Sequence, residues 1–102
     1  GAGLNDLSGA DLSRADLSFI DMHRMNLRDA NLSGSWFWGT DLTETDLTGA
    51  NLSGAAFGQI ENLRNANLRK ADLTDTHLDK DELLKYDVIL DGTVMSDGSI
   101  CK

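Results

Sequence analysis

An apolar residue returns every five positions along most of this chain. The centres run Leu7, Leu12, Leu17, Met22, Leu27, Leu32, Phe37, Leu42, Leu47, Leu52 and Phe57 without a slip. After one extra residue the series resumes at Leu63, Leu68, Leu73 and Leu78. A helix would smear such residues around its circumference, and a strand would need them at alternate positions. The period also differs from the leucine-rich repeat, at about 20 to 29 residues, and from the hexapeptide β-helix.

The residues around each centre repeat as well. Two positions earlier stands a mostly small side chain: Ala10, Ala15, Ala30, Ala50, Ala55, Ala66 and Ala71, with Ser35, Thr40, Thr45 and Thr76. Immediately before the centre stands Asp or Asn, except at Trp36, Ala56 and His77. Ser, Thr or Arg usually follows, and then often Gly. Two inward positions per quintet, one small and one large, describe one side of a four-sided coil. Each corner is a tight turn of the kind that Asp, Asn, Ser and Gly favour.

With about twenty residues per turn, the coils are 5–24, 25–44, 45–65 and the three-sided remainder 66–80. Stacked at about 4.8 Å, they make a rod of roughly 20 Å. One face then piles Leu7, Leu27, Leu47 and Leu68; the next Leu12, Leu32, Leu52 and Leu73; the third Leu17, Phe37, Phe57 and Leu78; the fourth Met22, Leu42 and Leu63. Phe37 and Phe57 fall on adjacent coils, where offset ring stacking is feasible. The extra residue predicts a bulge at Gly58-Gln59-Ile60, with Ile60 turned inward and Glu61 displaced from its nominal inward slot.

Stretches such as "ADLSRADLSF", "TDLTGANLSGAAF" and "ANLRKADLTD" resemble the pentapeptide-repeat family, A(D/N)LXX, over about residues 5–80. The resemblance implies an all-β solenoid, a right-handed quadrilateral β-helix of about four coils. It implies a family abundant in bacteria, cyanobacteria above all, with members in chloroplast lumens. Some members mimic duplex DNA and bind type II topoisomerases such as gyrase. Here residues 5–80 hold twelve acids and seven bases, a net −5. A duplex of roughly 20 Å would show about 12 charges, at one per about 1.7 Å. Mimicry is thus the alternative reading, disfavoured by a short rod of mixed charge.

The ends carry separate signals. Residues 1–4 read as a leader or tag remnant. Residues 81–102 read as a cap, with Asp79 as N-cap, Glu82 three residues on, and Leu83 and Leu84 lying over Leu68, Leu73 and Leu78. Beyond it, Asp91-Gly92 between apolar triplets suggests a hairpin or an extended tail. The Asp-Gly steps lack the spacing and terminal Glu of a calcium loop. At the other end Leu7, Leu12, Leu17 and Met22 line an open coil, which invites a second copy or an upstream domain.

No catalytic constellation emerges. His23 and His77 fall on different faces, the glycines sit singly at corners, and the lone Cys101 makes neither an internal disulfide nor a cysteine zinc site. We expect no enzyme, no cofactor and no metal. A formal charge of −8 argues against binding nucleic acid or an anionic membrane. No apolar run suggests membrane insertion. The compartment stays open, with the cytoplasm ahead of the periplasm or thylakoid lumen. The sequence points to a non-catalytic scaffold for a protein partner. In "SGSWFWGT", Trp36 and Trp38 flank the inward Phe37 and point outward, with Phe19 at the corner of the coil below. These three are the candidate partner-binding residues.

Overall fold

The computed structural model describes residues 5–102. The expected leader at residues 1–4 lies outside them. The chain winds into a parallel ladder, a β-solenoid. Asp6 bridges Asn26, Asn26 bridges Asp46, and Asp46 bridges Asn67; Asp11, Asn31, Asn51 and Asp72 form a second such column. The register is 20 residues until the insertion and 21 after it. Each side is too short for a regular strand because a corner follows every five residues. Two successive residues pair only where β1 (Trp36–Phe37) meets β2 (Ala56–Phe57).

The corners explain the quintet chemically. The Leu7 carbonyl accepts from Ala10 N–H at 3.0 Å, and the same bond recurs from Ala30 to Leu27, Ala50 to Leu47 and Ala71 to Leu68. Each is a four-residue turn whose third residue is left-handed, such as Gly49 at φ 71° or Glu44 at φ 59°, the type II pattern. The Asp or Asn side chain locks the turn by accepting the N–H two residues on, as Asn31 does from Ser33 at 3.1 Å.

The two inward positions of each quintet build the core. Leu27, Leu32, Leu47, Leu52, Leu68 and Leu73 are fully buried, and Ala30, Ala50 and Ala71 fill the narrow slots beside them. Inward hydroxyls bond to backbone carbonyls: Ser35 Oγ to Leu12 O and Thr40 Oγ1 to Leu17 O, both at 2.7 Å. Among the described residues no buried side-chain polar atom lacks a partner. No helix among them is long and apolar enough to cross a membrane.

The extra residue is absorbed by a 3-10 helix, Ile60–Leu63. Ile60 packs against the core and Glu61 is exposed. Burial decides this swap, since a carboxylate in the stack would lose its water. A helix, α1 (Lys80–Lys85), follows the last family-like quintet, and the Asp79 carboxylate accepts Glu82 N–H at 3.1 Å. Of the two leucines expected to lie over the stack, only Leu83 does. Leu84 is exposed, because neighbours on a helix point about 100° apart.

Of the two forms expected around Asp91-Gly92, a hairpin or an extended tail, the chain takes the extended one and adds parallel rungs, so the ladder does not stop at residue 80. Ile89 bridges Asn67 and Val94 bridges Asp72, both in parallel, at a register of 22. Val88, Leu90, Thr93 and Met95 are buried. Residues 88–97 are thus two further quintets with Ile and Val in place of Asx, on top of the coil. The antiparallel bridge lies further on, between Val94 and Ile100. The chain measures 35 × 23 × 22 Å along its principal axes.

At the opposite end Leu7, Leu12 and Leu17 are half-buried, but Met22 is buried. The coil climbs as it winds, so Met22 sits most of a turn above Leu7 and is not part of the exposed rim.

Candidate functional site

Trp36 and Trp38 stand either side of Phe37, which is buried. Strand alternation sends the flanking rings outward. Trp36 is 53 % and Trp38 47 % exposed, and Phe19 is 81 % exposed at the corner of the coil below. The structure therefore brings the three candidate residues onto one side of the molecule.

Small neighbours make room for them. Trp36 pairs with Ala56 above and bridges Asp16 below. Trp38 lies against Gly58, where an added Cβ would be 3.8 Å from its ring and 3.2 Å from Gly39 N. Phe19 holds a left-handed corner at φ 64°. Its ring covers Gly39, where an added Cβ would fall 2.6 Å from a ring carbon. The backbone beneath the rings is held by the ladder: Phe19 N–H donates to Trp38 O and Trp36 N–H to Ala15 O.

Ile20 also belongs to this surface, at 44 % exposure, and was not anticipated. The signal was a bulky residue in the slot reserved for small ones, two positions before Met22. A second unanticipated feature is a small polar cluster on the next face. Asp21, His23 and Asp41 bring one ligand-type atom each to within 4.8 Å of one another. His23 Nδ1 lies 2.6 Å from Asp21 Oδ1. That contact raises the His23 pKa above its ordinary value and lowers that of Asp21. Asp41 spends one oxygen on Thr43, whose N–H and hydroxyl it accepts. His77 sits elsewhere, its N–H bonded to Ser96 Oγ at 3.0 Å.

Charge on the neighbouring faces is paired across coils. Arg24 meets Glu44 at 3.4 Å and Arg28 meets Asp46 at 3.1 Å. Arg64 lies over the Tyr86 ring, 5.0 Å from its centroid. On the aromatic side the ladder positions read Asp16 and Ser18, then Trp36 and Trp38, then Ala56 and Gly58, then His77 and Asp79. None of them is Lys or Arg.

The family model "Pentapeptide repeats" matches residues 6–27, 26–59 and 62–80, in eight copies. Among solved structures, the chain is similar to HetL, a pentapeptide repeat protein involved in heterocyst differentiation regulation from the cyanobacterium Nostoc sp. strain PCC 7120. The identity is 34 % and the TM-score 0.63, over 94 % of this chain and 43 % of HetL. The chain thus spans less than half of HetL's length. It is also similar to a second pentapeptide repeat protein from Nostoc PCC 7120, at 29 % identity and TM-score 0.45, over 86 % of each chain. A third is from the Arabidopsis thaliana thylakoid lumen, at 28 % identity and TM-score 0.31, over 97 % of this chain and 88 % of that one. A search of curated proteins gives no significant match.

Proposed function

The chain belongs to the pentapeptide-repeat family, and from that membership we propose that it is a non-catalytic protein–protein interaction module. In this reading it is a right-handed quadrilateral β-helix of about four coils plus its cap, a rigid rod that presents faces. The observation that carries the reading is the pair of half-exposed indoles, Trp36 and Trp38, anchored on either side of a buried Phe37. Exposed aromatic clusters on rigid backbone are the usual anchors of binding surfaces. The interior supports it too, being filled by Leu, Phe, Ala and hydroxyl side chains that all have partners.

The test replaces both anchors. The Trp36→Ala/Trp38→Ala double variant should keep its circular dichroism and melting midpoint but lose the proteins that the native chain retains on an affinity matrix. Retention of the same proteins would remove this face from the assignment.

A second surface lies at the N-terminal end. Leu7, Leu12 and Leu17 are only half-buried, and among the described residues the N–H groups of Asp6, Asp11, Asp16 and Asp21 donate to nothing. Such an edge accepts another coil, from a second copy or from an upstream domain. Light scattering that shows a strict monomer at high concentration would exclude the second copy.

A further inference from the structure

At most Asx positions of the ladder that precede Ser or Thr by two, one side-chain oxygen takes two hydrogen bonds from that residue. That partner gives both its N–H and its hydroxyl to Oδ1 at Asp6, Asp11, Asn31, Asp41, Asp46, Asn51, Asp72 and Asp97. Asp16 departs from this pattern. It accepts the Ser18 N–H at 3.1 Å, but Ser18 Oγ is turned to the next coil, where it accepts Trp38 N–H at 3.2 Å. Asp16 is exposed and has no ion-pair partner among the described residues. Its Oδ1 therefore accepts one hydrogen bond where those equivalents accept two, its other oxygen is open among the described residues, and this acceptor edge lies directly beside Trp36, the residue it bridges.

A carboxylate and an exposed indole on neighbouring rungs, about 4.8 Å apart, fit one chemical group well. A guanidinium is planar. It can offer two N–H groups to the carboxylate while its face rests on the ring. An ammonium can do only one of these well. The ladder positions of this side contribute no cation of their own, and the chain carries a net −8, so the field favours a positive partner. Taking as given that the Trp36–Trp38 face receives a protein, we propose that it captures an exposed arginine of that protein, with Asp16 binding the guanidinium edge and Trp36 its face, and with Trp38 and Phe19 covering the adjoining aliphatic stem.

The molecule carries its own reporter, because Trp36 and Trp38 are its two tryptophans. Three synthetic eleven-residue peptides are titrated into the protein, identical but for three central positions that are arginine, lysine or neutral citrulline. Indole fluorescence and indole N–H resonances are followed. The arginine peptide should saturate the signal and bind several-fold more tightly than the lysine peptide, with citrulline weakest. Asp16→Asn should weaken the arginine peptide roughly tenfold. This variant preserves the corner, since asparagines at 26, 31, 51 and 67 accept the same N–H. Trp36→Ala should weaken it further, with an unchanged melting midpoint.

Equal binding of the three peptides, an Asp16→Asn variant that binds like the native chain, or no response to any of them would each overturn the arginine assignment. The broader reading is judged separately, by whether the double tryptophan variant loses its retained proteins.

Discussion

The rings of Phe37 and Phe57 lie stacked, centroids 5.1 Å apart and planes within 12° of parallel. They are 20 residues apart in sequence and adjacent in the ladder. The contact therefore measures the length of one turn. It also locates the aromatic face, since the residues on either side of Phe37 must point the other way.

This column tolerates size but not loss. Leucine fills its lower and upper positions, at Leu17 and Leu78, so Phe37→Leu should cost under about 1.5 kcal/mol. Phe37→Ala should cost about 3–5 kcal/mol, because a rigid stack closes poorly over a cavity. Urea unfolding of both variants measures the difference. Equal losses would mean that Phe37 is not packed in the column.

The inward hydroxyls make a second test of the core. Thr40 is buried, and its hydroxyl supplies a hydrogen to Leu17 O. Thr40→Val keeps the volume and removes the donor, leaving a carbonyl without that bond, at about 1–3 kcal/mol. Thr40→Ser should recover most of the loss. A valine variant as stable as the native chain would show that water replaces the hydroxyl.

Legibility followed the period. The columns, the paired phenylalanines and the outward tryptophans could all be read from a five-residue count, because burial alternates rigidly with position. The top of the coil was missed where the count lost its markers. Ile89 and Val94 stand where Asp or Asn was sought, and α1 had already broken the spacing by two residues. The buried pair at each quintet, Val88 with Leu90 and Thr93 with Met95, was the signal that remained. The place of Asp16 below the tryptophans was legible from the twenty-residue turn. Its spare acceptor site was not, because that depends on the rotamer of Ser18.

The corners were only half legible for a related reason. Every turn needs a left-handed third residue, yet Arg14, Arg24, Asp29, Glu44 and Lys70 fill this place as well as glycine. Glycine meets that demand without the Cβ penalty. Asp75 holds φ 61° at an exposed corner, and Asp75→Gly should stabilise the chain by about 0.5 kcal/mol. Gly54 has φ 70° and open space around it, its nearest neighbour being Gly34 N at 4.0 Å. Gly54→Ala should therefore cost about 1 kcal/mol through backbone strain alone. Thermal melts of the two variants should move in opposite directions; shifts of the same sign would refute the strain argument.

The same corner bonds set the response to acid, and one of them sets a response to base. Hydroxyl and N–H donation from Ser8, Ser13 and Ser99 holds the carboxyls of Asp6, Asp11 and Asp97 below their ordinary 3.8. Burial pushes Asp46 up, but Thr48 and Arg28 outweigh it and its pKa is also lowered. These groups bind protons less readily folded than unfolded. Their contribution is complete above the unfolded carboxyl pKa and is lost as pH falls through the lower folded values. The melting midpoint should thus hold down to about pH 4 and drop below it. His23 has the opposite sign. The Asp21 side chain raises its pKa above 6.5, so its contribution is full below pH 6.5 and is lost as pH rises through the folded value. The pair is exposed, so the loss is small. Proton NMR should show His23 titrating above 6.5 in the native chain and returning toward 6.5 in Asp21→Asn. The variant should also lose the shallow decline in melting midpoint between pH 6 and 8. An unaltered His23 titration would mean that the Asp21 contact does not persist in solution.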